Sequence, residues 1–88
     1  MELWINKSDL KANPCERYWD LPDFFDAIKE IRKRGSKYDD LRWLINNCEL
    51  AQTLEMLEYY KSLEPSYENV RWLIINCEFA KENYKSIN

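Results

Sequence analysis

Histidine is absent from the 88 residues, glycine occurs once and cysteine three times. Without histidine the chain lacks the commonest general base and metal ligand, and a single glycine leaves no glycine-rich loop to cradle a phosphate. Cys15, Cys48 and Cys77 form an odd set at wide spacing, which fits neither a disulfide framework nor a zinc site. They are expected to be reduced, with Cys48 and Cys77 buried as small apolar residues. No apolar run approaches the roughly 20 residues of a membrane span. Met1 to Asn6 has neither the basic start nor the apolar centre of a signal peptide, so the expectation is a cytoplasmic protein. No block of one charge sign stands out, and the net charge of −3 offers no broad basic surface for nucleic acid.

What is present is apolar and aromatic. Hydrophobic residues make up 45% of the chain, aromatics 15% and charged residues 33%, a composition for a helical domain rather than a disordered chain. An 88-residue chain hides only about 60 to 65% of its unfolded surface, so each large side chain counts. The aromatic share exceeds what a small helical core needs, which points to an exposed apolar patch.

The organising feature is a duplication. Tyr38 to Ala51 reads YDDLRWLINNCELA and Tyr67 to Ala80 reads YENVRWLIINCEFA, 29 positions further on. Periods of this length mark supersecondary units that stack on one another. Ser36 with Asp39, and Pro65 with Ser66 and Glu68, read as helix starts near 37 and 67. Leu41, Leu44, Ile45 and Cys48 keep helical spacing, as do Val70, Leu73, Ile74 and Cys77. The steps Asn47-Cys48-Glu49 and Asn76-Cys77-Glu78 read as tight corners, each followed by a second helix. In the first copy that helix carries Leu50, Leu54 and Leu57 on its buried face. In the second it runs from Glu78 to about Ser86.

Upstream, Asp20 to Gly35 has a cap residue, an early proline, acids first, bases last and a terminal glycine, and reads as a helix throughout. Shifted by the same 29 positions, Phe25, Ile28 and Ile31 fall on Leu54, Leu57 and Tyr60. Leu3 and Ile5 alternate as in a strand, but no partner strand is evident. Trp4 and Leu10 are therefore expected to cover the apolar end of the helical array. The fold class predicted is all-α, a short array of antiparallel helix pairs in one domain. Its parts are a cap segment over 1–19, a helix over 20–35, and repeats over 36–64 and 65–88.

No pattern supports catalysis, a metal or a cofactor. Arg42-Trp43 and Arg71-Trp72 stand out, because each Trp lies about 200° round its helix from the core Leu or Val at roughly 100° per residue. Two readings stay open. Either the tryptophans pack between stacked repeats, or Tyr38, Arg42, Trp43, Tyr67, Arg71 and Trp72 form an aromatic and arginine-rich contact surface. The basic cluster Lys29, Arg32, Lys33, Arg34 and Lys37 leaves a nucleic-acid-associated regulator as an alternative, and a self-assembling protein or homodimer as another.

The segment Lys7-Ser-Asp-Leu-Lys-Ala-Asn-Pro-Cys15, with its Leu-Lys-x-x-x-Cys spacing, resembles the opening of small helical proteins of phages and prophages. The resemblance covers about the first twenty residues. It implies a small viral protein acting by binding, in the host cytoplasm, as an inhibitor or adaptor that masks a host protein, with anti-defence activity as one form. Members mostly lack an assigned function, so the resemblance brings no catalytic residue with it.

Overall fold

The computed structural model describes residues 1–34, 37–63 and 67–83. These are mostly helical, with one small antiparallel sheet, so the all-α expectation is corrected. The chain falls into two compact units, Met1–Ala51 and Gln52–Asn88.

In the first unit, β1 (Trp4–Asn6) pairs antiparallel with β2 (Phe24–Asp26), with Ile5 opposite Phe25. The ladder continues at both ends through Ala27 N–H to Leu3 C=O and Lys7 N–H to Asp23 C=O, each 2.8 Å. Strand alternation then divides the side chains between two faces. Ile5 and Phe25 are buried, while Trp4 and Phe24 lie exposed on the other face. The strand character of Leu3 and Ile5 therefore has a partner after all. It was concealed within the segment read as the start of the 20–35 helix.

That helix, α1 (Ala27–Arg34), begins seven residues later than the expected cap at Asp20. The cap is Asp26, whose Oδ1 accepts from the N–H of Ile28 at 3.2 Å and lies 3.5 Å from that of Lys29, the bonding expected of a helix N-cap. The preceding aromatic pair suits a strand better than a first helical turn.

A short 3-10 turn at Lys7–Asp9 leads to Leu10, which forms an isolated antiparallel bridge with Cys48. Lys11 N–H reaches the Asn47 carbonyl at 2.7 Å, satisfying a helix-end acceptor. Leu10 thus covers the end of α2 (Lys37–Asn47) as expected. Trp4 does not; it stacks on Phe24 instead, with ring centroids 5.2 Å apart.

Along α2 the predicted stripe holds: Leu41, Leu44, Ile45 and then Cys48 are buried. The corner after Asn47 is present, but a 3-10 turn, Glu49–Ala51, follows it rather than a helix. Cys48 and Cys77 are buried as expected, whereas Cys15 is exposed in the extended backbone before a 3-10 turn at Glu16–Tyr18.

In the second unit, α3 (Leu54–Leu63) starts behind Thr53, whose Oγ1 accepts the Met56 N–H at 3.1 Å. The buried face is Met56, Leu57 and Tyr60, so Leu57 and Tyr60 keep the expected face, while Leu50, in the preceding turn, and Leu54, at the first position of the helix, are exposed. Of the pairs expected from the 29-residue shift, Ile28 with Leu57 and Ile31 with Tyr60 are buried. Phe25 is in a strand and its counterpart Leu54 is exposed. The Tyr60 hydroxyl donates to the Asn69 carbonyl at 2.9 Å, joining α3 to α4 (Tyr67–Asn76).

In α4, Leu73 and the following Cys77 are buried, and Val70 and Ile74 are half-buried. After Cys77 the chain turns into α5 (Glu78–Glu82). Helices begin at 37 and 67 as predicted. The caps assigned to Ser36, Pro65 and Ser66, the terminal Gly35, and the last helix beyond 83 lie outside the described residues.

Candidate functional site

A half-open apolar cavity of about 220 Å³ lies in the first unit. Pro14, Cys15, Arg17, Tyr18 and Leu21 of the segment before β2 form one side. Phe25, Ala27, Glu30 and Ile31 of β2 and α1, and Asp39, Asp40, Trp43 and Leu44 of α2, form the others. Helical spacing places Asp40, Trp43 and Leu44 on one face of α2. Leu21, Phe25, Ile31 and Leu44 are themselves buried. A larger hollow of about 360 Å³ adjoins it, sharing Leu10, Pro14 and Tyr18 but more polar in its lining.

The rim is held by arginine–carboxylate pairs. Arg17 Nη2 lies 3.1 Å from Asp40 Oδ1, and the Tyr18 hydroxyl donates to Asp40 Oδ2. Arg34 Nε donates to Glu30 Oε2 at 2.7 Å, and Arg34 Nη1 donates to the Arg17 carbonyl at 3.1 Å and to Asp20. Arg42 Nη1 lies 3.6 Å from Asp39 Oδ1. Charge-assisted pairs of this kind fix side-chain positions more than they add stability at a surface. Burial, and after it the bond to Asp40, pushes the Tyr18 hydroxyl pKa well up. The hydrogen bond from Arg34 holds the Asp20 carboxyl below its usual value.

The residues singled out from sequence are distributed over both units. Tyr38, Arg42 and Trp43 stand half-buried on α2, Arg42 with most of its side chain covered beside Asp39 and Trp43 in the cavity wall. On α4, Arg71 is exposed and Trp72 half-buried. The Tyr67 side chain lies outside what is described. Asn47 and Asn76 make the same bond in the two copies, each Nδ2 donating to the carbonyl of Trp43 or Trp72 at 2.8 and 2.9 Å.

The most exposed aromatics lie off the Arg-Trp segments. Trp4 is 51% exposed and Phe24 55%, and the strand register makes them diagonal neighbours on one face. Trp19 is 67% exposed, yet its indole N–H is tied to the Pro14 carbonyl at 3.0 Å. The adjacent pairs Tyr18-Trp19 and Phe24-Phe25 place one member each at an edge or interface by sequence, and those members are Trp19 and Phe24; the exposure of Trp4 was not expected.

Of the basic cluster, Arg34 is engaged with Glu30, Asp20 and Arg17, while Lys29, Arg32 and Lys33 are exposed. Among the described residues no group of three or more Cys, Asp or Glu side chains is placed to hold a metal ion, and no helix is long and apolar enough to cross a membrane. Compared with known proteins, the chain matches no family model, no curated protein and no solved structure.

Proposed function

We propose that the chain is a non-catalytic protein-binding module whose contact surface is centred on Trp4 and Phe24. The stacked pair carries this reading. Two large rings, each more than half exposed, present apolar area to solvent in an arrangement fixed by the strand register. Exposed apolar patches mark interaction sites, tryptophan is enriched among the residues that dominate binding energy, and rigid anchors lose little entropy on association. Arg71, exposed next to Trp72, is the part of the expected Arg-Trp surface open to a second contact.

In this reading the duplicated segments act as a structural repeat. Leu44 with Leu73, Cys48 with Cys77 and Ala51 with Ala80 are buried at matching positions, and the shared asparagine bond supports the same view. The narrower role, a phage-type inhibitor or adaptor masking a host protein, draws on the resemblance of Lys7 to Cys15 alone. The test is capture of partners from host lysate on tagged protein, with and without nuclease. A protein retained after nuclease supports the module. Loss of all signal with nuclease favours the nucleic-acid-associated alternative.

A further inference from the structure

The cavity of the first unit has a size, a lining and a rim that together specify its occupant. Its volume of about 220 Å³ exceeds the roughly 150 Å³ that encloses a benzene. It falls short of the roughly 300 to 1,000 Å³ of pockets that take whole small molecules or cofactors. One ring or one branched chain fits. Leu21, Phe25, Ile31 and Leu44 make the floor apolar.

The polar groups at the mouth are already engaged. Tyr18 and Arg17 are bonded to Asp40 and Glu30 to Arg34, and Asp39 is ion-paired with Arg42 at 3.6 Å. Among the described residues no buried side-chain nitrogen or oxygen lacks a partner. A charged group entering the apolar floor would therefore lose water and meet no unpartnered buried side-chain group there. An apolar floor inside a polar rim is also the anatomy of an anchor pocket in a protein–protein interface. We propose that the cavity seats one uncharged apolar side chain, phenylalanine or leucine, of a partner protein, an assignment that rests on the protein-binding reading above.

Capped amino acids test the pocket without the partner. N-acetyl-phenylalaninamide and N-acetyl-leucinamide, titrated into isotope-labelled protein, should give saturable shifts at the Trp43 indole N–H and the Leu21 and Leu44 methyls. The capped lysine and aspartate analogues should bind at least about tenfold more weakly. Alkylating Cys15 with N-benzylmaleimide should abolish the response and leave the far-ultraviolet circular dichroism unchanged, since this rim thiol is exposed while Cys48 and Cys77 are buried.

Absence of saturable shifts, equal shifts from the charged analogues, or a response that survives alkylation would each overturn the assignment. If the shifts are absent while a partner is still captured, this inference fails and the protein-binding reading stands. Saturable shifts from a protein that captures no partner remove that reading and, with it, the occupant.

Discussion

The Asp26 carboxylate accepts the Leu3 backbone N–H at 3.0 Å across 23 positions of sequence, and the same oxygen accepts the Ile28 N–H at 3.2 Å. One buried side chain thus closes the sheet and opens α1. Asp26→Ala removes a helix cap together with bonds to a charged acceptor, so the expected loss is about 2 to 4 kcal/mol in a urea titration. Asp26→Asn keeps an acceptor and should lose about 1 kcal/mol. Equal effects of the two substitutions would contradict the role given to the side-chain oxygen.

The burial pattern of α3 has a direct consequence for stability. Met56→Ala, at a fully buried position, should cost about 2 to 5 kcal/mol. Leu54→Ala, at a position 44% exposed, should stay within about 1 kcal/mol of the parent. The reverse order would contradict this burial pattern and return Leu54 to the buried face expected from sequence.

Two ionisations contribute to the pH dependence of stability. Arg34 holds the Asp20 carboxyl below its unfolded value. That contribution is therefore present above about pH 3.9 and is lost as pH falls through the lower folded value. The Tyr18 hydroxyl is raised by burial and by Asp40, so its contribution is full below about pH 10 and is lost as pH rises through the folded value. Denaturation followed against pH should show a shallower acid limb for Asp20→Asn and a shallower alkaline limb for Tyr18→Phe. An alkaline limb in Tyr18→Phe as steep as in the parent would contradict the Tyr18–Asp40 link.

Local signals were legible where they decided the outcome. The starts of α2 and α4 and the corners at Cys48 and Cys77 lie where the sequence placed them, and the buried stripe Leu41, Leu44, Ile45 and Cys48 follows from helical spacing. The strand pair was not legible. Its hydrogen bonds join residues about twenty positions apart, and Asp20, Pro22 and Asp23 imitate a helix start. Likewise Leu50 and Leu54 kept helical spacing only on paper, since Leu50 lies inside the three-residue turn Glu49–Ala51 and Leu54 is the first residue of a separate helix. The cavity had no local signature, because the segment before β2 and then β2, α1 and α2 each supply only part of its wall.

The most direct test of the central claim is quantitative capture by the parent and by the Trp4→Ala/Phe24→Ala protein from the same nuclease-treated lysate of its natural or host cell, with thermal melts of both. Both positions are more than half exposed, so truncation should leave the melting temperature within a few degrees. Loss of one or two such anchors typically costs 2 kcal/mol or more of binding, so retained partner should fall by about thirtyfold or more. A captured protein retained equally by the folded double variant would contradict the account and move the contact surface away from Trp4 and Phe24.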